Sequence, residues 1–216
     1  MNYRAVIFDL DGTLLNSIED LADSMNTVLE KAGFPTHDVE SYKYYVGDGI
    51  KNLVFKSLPA AYRDNQSVKY FSEKMQEEYA KRWSKKTRPY DGIPELLDML
   101  KAKNIHMAVL SNKPDKFAKL IVKELLGNWH FNAVYGDREG IPKKPDPKGA
   151  LEIAGILGLQ PKNILYLGDT GTDMQTANNA GMFAAGALWG FRKKEELVSN
   201  GAAALINNPL ELLSFI

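Results

Sequence analysis

Ten residues near the start of the chain, Ala5 to Leu14, read AVIFDLDGTL and constrain its fold more than any other stretch. Ala5-Val6-Ile7-Phe8 has the length and β-branched content of a strand buried on both faces. It runs directly into Asp9-Leu10-Asp11-Gly12-Thr13. Two carboxylates at i and i+2 of an extended chain lie on the same side. Gly12 then lets the backbone turn where a Cβ would stand in the way. Two carboxylates at the tip of a core strand are unfavourable unless a cation neutralises them. Asp-Gly is also a common turn pair, so the plain alternative is a surface turn. The rest of the chain has to decide.

Strand-like and helix-like runs alternate along most of the sequence. Met107–Leu110, Ala133–Tyr135 and Ile164–Leu167 read as strands, and the apolar Phe183–Ala187 and Ala204–Ile206 complete the pattern. Ile93–Ala102, Lys116–Leu126, Lys148–Leu157 and Met174–Ala180 read as helices between them. This alternation predicts an α/β fold, a Rossmann-like doubly wound parallel sheet with helices on both faces. One segment breaks the pattern. A helix opens at Ser17, where Ser17 and Asp20 match a capping box, and closes at Gly33 and Pro35. From there to about Lys86 no strand-like run occurs. The expected division is therefore an α/β core from 1–15 and 88–216, with an inserted all-helical cap at 16–87.

Composition narrows the function classes. The 216 residues carry no net charge and are 44% hydrophobic, as in an ordinary globular chain. That balance favours neither nucleic acid nor an acidic membrane surface as a partner. There is no cysteine, which excludes disulfides and thiolate chemistry. The first strand begins too early to leave room for a signal peptide, and the longest apolar stretch, Met182–Phe191, is far short of the ~20 residues of a membrane helix. A cytoplasmic enzyme or binding protein of undetermined oligomeric state is expected.

In an open parallel sheet, ligands bind beyond the carboxyl ends of the strands. The strand ends here carry Asp9 and Asp11, then Ser111 and Asn112, then Lys144 in a following loop, then Asp169 and Asp173. Three carboxylates suit a hard cation such as Mg²⁺. A hydroxyl, loop amides and a lysine suit the oxygens of a phosphoryl group. Taken singly, Ser111, Asn112, Asp169 and Asp173 could be helix caps and Lys144 a solvated loop residue. Their joint occurrence at strand ends points to a site.

DLDGT, SNK, KKPDP and GDTGTD, in that order, resemble the four motifs of the haloacid-dehalogenase-like hydrolase superfamily. SNKP, KPDPKGAL, YLGDTGTDMQTANNAGM and WGFRKKEEL are similar to the pattern of its phosphoglycolate phosphatase group. The resemblance implies a Mg²⁺-dependent phosphomonoesterase acting on a small phosphate ester, with 2-phosphoglycolate the leading substrate. It implies Asp9 as nucleophile and Asp11 as general acid. Asp9, the Asp11 carbonyl and Asp169 would hold the metal. Ser111, Asn112 and Lys144 would bind the phosphoryl oxygens, and Asp173 would orient Lys144 or a metal-bound water. Asn16 departs from the aspartate of many relatives, but it lies outside the catalytic set.

A phosphomutase or pyrophosphatase of the same fold, or a catalytically silent binding module, competes with this reading. Gly47 and Gly49 in the cap could present backbone N–H groups to an anionic substrate, or merely open a helix. His37, His106 and His130 have no paired spacing for a metal. Trp83, Trp129 and Trp189 read as packing or surface anchors.

Overall fold

The structure, a computed structural model, describes residues 3–216. It divides into two compact units, one of Met1–Leu15 with Pro89–Ile216 and the other of Asn16–Arg88. In chain order the strands are β1 (Ala5–Phe8), β2 (Leu15–Asn16), β3 (Arg88–Pro89), β4 (His106–Pro114), β5 (Ala133–Asp137), β6 (Ile164–Gly168), β7 (Phe183–Ala187) and β8 (Ala204–Ile206). Strands β2 and β3 form a small sheet of their own.

The other six strands form the sheet of the first unit, in the order β5-β4-β1-β6-β7-β8, and all its pairings are parallel. All four residues of β1 are buried, because β4 and β6 flank it and helices cover both faces. Phe8 lies opposite Val109 on one side and Leu167 on the other. Alternate residues supply one face of the core: Ala5 and Ile7, Ala108 and Leu110, Ile164 and Tyr166 pack with Ile153, Met174 and Ala177 from the helices. Successive strands step away from β1 through β4 to β5, then resume on its other side with β6. Parallel sheets bind ligands where their order reverses in this way. Asp9 follows β1 and Asp169 follows β6, so the two acids flank the reversal.

The doubly wound α/β class read from the sequence is the one observed. Helices Ile93–Ala102 and Lys148–Leu157 occupy the expected residues. Strand β4 is longer than expected, continuing past Leu110 through Ser111-Asn112-Lys113 to Pro114. A short helix at Lys194–Ser199 and a 3-10 turn at Pro209–Phe215 were not anticipated.

The second unit holds α1 (Ile18–Lys31), α2 (Val39–Tyr45), α3 (Ile50–Ser57) and α4 (Asn65–Tyr79), with a 3-10 turn at Ala60–Tyr62. The stripe of α1 is buried at Ile18, Leu21, Ala22, Met25, Val28 and Leu29. The capping box expected at Ser17 and Asp20 does not form, for Ser17 makes no side-chain cap bond. Asp20 is buried, and its carboxylate accepts from the Lys86 N–H, from the Thr87 N–H at 2.8 Å and from the Thr87 hydroxyl at 2.7 Å. Converging donors satisfy a buried carboxylate better than one frayed helix start could. A capping box does form at Thr170 and Asp173. Among the described residues, no helix is long and apolar enough to cross a membrane.

Candidate active site

The loop after β1 is set by its own backbone. The Asp9 N–H donates to the Leu167 carbonyl at 2.9 Å, so the ladder continues one residue beyond the strand. The N–H groups of Leu14 and Leu15 then fold back onto the Leu10 carbonyl. Gly12 sits at φ +96°, which side-chain-bearing residues rarely adopt. From across the sheet, the Trp189 indole N–H donates to the Thr13 carbonyl at 3.0 Å.

Asp169 is fully buried in a seat built by this loop. The Thr13 hydroxyl donates to one carboxylate oxygen at 2.9 Å, and the Phe191 N–H to the other at 2.7 Å. A Cβ on Gly12 or on Gly190 would collide with the Asp169 side chain. Two glycines therefore allow the backbone to close around this acid from both sides.

Lys144 joins the two halves of the sheet. Its ammonium donates to Asp9 Oδ1 at 2.7 Å and to Asp173 Oδ1 at 2.6 Å. The other oxygen of Asp173 accepts from the Thr170 hydroxyl and N–H, which fixes the carboxylate at the start of its helix. Asn112 braces the lysine from behind. Its side-chain oxygen accepts from the Lys144 N–H at 3.0 Å, and its amide donates to the Lys144 carbonyl at 3.2 Å. The oxygen and the amide nitrogen of the Asn112 side chain thus both engage the Lys144 backbone.

A second buried ion pair stands beside the first. Lys113 Nζ lies 3.0 Å from both oxygens of Asp11, with side-chain exposures of 4% and 11%. Ser111 is buried two residues earlier on β4, and its hydroxyl accepts from the Lys113 N–H at 3.2 Å. The register of β4 against β5 shifts between Leu110 and Pro114, and Ser111 and Lys113 lie in that irregular stretch. Ending the strand at Leu110 hides this relation, and Lys113 is the residue that sequence reasoning missed.

The electrostatics follow from burial. Lys113 pairs with Asp11, and Lys144 with Asp9 and Asp173. Burial, with Asp173 nearby, pushes the Asp169 carboxyl up to about 7. Burial also raises Asp9 well above the carboxylate range, with Lys144 opposing and Asp173 and Asp169 reinforcing. For Lys144, burial works against the charge, but contact with Asp173 and Asp9 outweighs it and keeps the ammonium protonated.

Asp9, Asp11, Ser111, Asn112, Lys144, Asp169 and Asp173 therefore gather at one edge of the sheet. Among the described residues, the acids placed to hold a metal ion are Asp9, Asp169 and Asp173, whose ligand atoms lie within 4.8 Å of one another. That cluster includes Asp173, while the Asp11 carboxylate turns to Lys113. Gly47 and Gly49 lie in the other unit, between α2 and α3, with Gly49 at the N-cap of α3. His37 serves that unit's interior, its Nε2 lying 2.8 Å from the Ser57 carbonyl oxygen.

The family model for haloacid dehalogenase-like hydrolases matches residues 6–187. The chain is 33% identical to a phosphoglycolate phosphatase of Aquifex aeolicus, over 88% of this chain and 87% of that protein. It is 32% identical to one of Chromobacterium violaceum, over 97% and 94% respectively. A crystal structure from Lactobacillus delbrueckii subsp. bulgaricus, described provisionally as a phosphoglycolate phosphatase, superposes with a TM-score of 0.92 at 30% identity, covering 100% of this chain and 99% of that one. With its four motifs assembled on one sheet edge, the chain belongs to the haloacid dehalogenase-like hydrolase family, in which it groups with the phosphoglycolate phosphatases.

Proposed function

We propose that the protein is a Mg²⁺-dependent phosphomonoesterase that works through an aspartyl-phosphate on Asp9, with 2-phosphoglycolate as its leading substrate. The observation that supports this most is the Lys144 bridge between Asp9 and Asp173, beside the buried Asp169. The relatives named for phosphoglycolate support the substrate.

The donor set fits a divalent cation. Three buried carboxylates converge with one lysine between two of them, and the raised Asp169 carboxyl marks a deficit of positive charge. Oxygen ligands of this kind suit Mg²⁺. Asp9 and Asp169 would hold it, with the Asp11 carbonyl or Asp173 completing the protein's share. When bound, it would screen the repulsion between a carboxylate and a phosphate dianion.

The rest is the work of the chain. An Asp9 oxygen attacks phosphorus as the bond from phosphorus to the leaving oxygen breaks. Asp11 gives that oxygen its proton, then takes one from the water that attacks the aspartyl-phosphate, restoring Asp9 and releasing phosphate. Lys144 holds Asp9 in place and, with Ser111, stabilises charge on the phosphoryl oxygens. Asn112 keeps the Lys144 backbone in register for that task. In this reading the inserted helical unit is the cap, free to contribute contacts such as the Gly47 and Gly49 amides to selection.

Hydrolysis of p-nitrophenyl phosphate tests the reading directly. Turnover that needs Mg²⁺, stops in excess EDTA and is lost by at least ~10³-fold in folded Asp9→Asn supports it. Near-normal turnover in the chelator or in that variant overturns it.

A further inference from the structure

The two buried lysines of the site do different jobs. Lys144 is committed to Asp9 and Asp173, on the side of the nucleophile. Lys113 is clasped to Asp11, the group proposed above to protonate the leaving oxygen. An ammonium is a costly way merely to orient a carboxylate at 11% exposure, since a neutral donor would do so without burying a second charge.

Geometry gives Lys113 a more specific use. The Lys113 N–H donates to the Ser111 hydroxyl at 3.2 Å, while the Lys113 ammonium lies 3.0 Å from both oxygens of Asp11, so Ser111 and Lys113 serve one site from the irregular end of β4. In an ester whose alcohol carries a carboxylate on the adjacent carbon, the phosphoryl oxygens and the carboxylate oxygens lie about 5–6 Å apart by bond lengths. A substrate with one phosphoryl oxygen at Ser111 thus brings such a carboxylate within reach of the Lys113 side chain, beside Asp11. Lys144 shows, in the same site, that one lysine here can bridge two carboxylates at 2.6 and 2.7 Å.

We infer that Lys113 is a specificity-determining residue, whose ammonium bridges Asp11 and an anionic group on the substrate's leaving alcohol and so selects phosphate esters of short hydroxy acids. The inference rests on the phosphomonoesterase reading and refines it. It places recognition of the carboxylate on the core strand β4, where the sequence alone pointed to amides around Gly47 and Gly49.

The test compares kcat/KM for 2-phosphoglycolate and for 2-hydroxyethyl phosphate, which has the same length but no carboxylate. The intact enzyme is expected to favour the carboxylate ester by at least about tenfold, as charge-assisted hydrogen bonds allow. Lys113→Gln is expected to lower that preference at least about tenfold, whatever it also does to both rates through Asp11, and Lys113→Arg to keep most of it. Glycolate should inhibit the intact enzyme where ethylene glycol does not, a measurement independent of any variant's folding. Parallel losses on the two esters would show that Lys113 only orients Asp11, and would overturn the inference. So would an unchanged ratio in Lys113→Gln, or equal inhibition by glycolate and ethylene glycol. If the intact enzyme hydrolyses both esters without preference, the inference alone falls. If it hydrolyses neither of them nor p-nitrophenyl phosphate in Mg²⁺, the phosphatase reading falls with it.

Discussion

Asp169 is under two demands that pull in opposite directions. The proposed metal role calls for a charged carboxylate; burial, with Asp173 nearby, favours a neutral one and raises its folded value to about 7. Between its ordinary value near 3.8 and about 7, the folded protein binds more protons at this group than the unfolded chain does. By linkage, the metal-free protein loses stability through Asp169 as pH rises across that window, and a cation bound as proposed would reverse the loss. Asp169→Asn removes the conflict. The amide fits the seat, because its oxygen can accept from the Phe191 N–H while its NH₂ donates to the Thr13 hydroxyl. In EDTA at pH 8 the variant is expected to gain roughly 2 kcal/mol, or roughly 4–8 °C in melting temperature, while losing catalysis. Calorimetry of both proteins checks this, and a lower melting temperature for the variant would show that the charge is already compensated. Asp9, Asp11, Lys144 and Asp169 were legible as sequence because each lies beside a glycine, a proline or a strand end. The glycine seat was not, since Gly12 and Gly190 meet only across the folded chain.

At the scale of elements, Asp20 shows how a local signature can mislead. Ser-x-x-Asp ahead of an apolar stripe is a legitimate sign of a capping box, and its failure at Ser17 comes from partners 66 and 67 residues away. The same carboxylate ties the start of α1 to the segment just before β3. Asp20→Ala is expected to lose roughly 2–4 kcal/mol, because it strands buried donors of Thr87 as well as removing their bonds. The sharpest readout is amide exchange at Lys86 and Thr87, which should accelerate more than exchange within α4. Unchanged protection there would mean that those amides are held by something other than Asp20. Strand identities were easier to read than strand lengths. An apolar run such as Ala5–Phe8 declares its burial, whereas no apolar pattern marks Ser111-Asn112-Lys113, which continue β4 through an irregular stretch. That extension is what brings Lys113 to Asp11, so the missed boundary and the missed residue have one cause.

At the scale of the molecule, the acids proposed to hold the metal lie in one of the two units. Asp9, Asp169 and Asp173 lie within Met1–Leu15 and Pro89–Ile216. A ligand stabilises what it binds by mass action, about 2.7 kcal/mol at a hundred times its dissociation constant. Saturating Mg²⁺ is therefore expected to slow amide exchange in β1, β6 and the loops after them by up to about 100-fold. Exchange within α1 and α4 should stay as it was. Mass-resolved hydrogen exchange with and without the ion distinguishes this from uniform protection, which would show that the whole chain opens as one cooperative body.

The central position of β1 has a consequence for the order in which the protein is made. Its two neighbours are β4 and β6, so the first strand to leave the ribosome must wait for Gly168 before both its edges are covered. The helical unit is contiguous from Asn16 to Arg88 and is complete about 80 residues earlier, an interval of roughly 4–16 s at ~5–20 residues per second of synthesis. During that time the apolar AVIF segment lacks the neighbour that will cover its second edge. Asp9 is thus translated well before Lys144, Asp169 and Asp173, the residues that come to surround it.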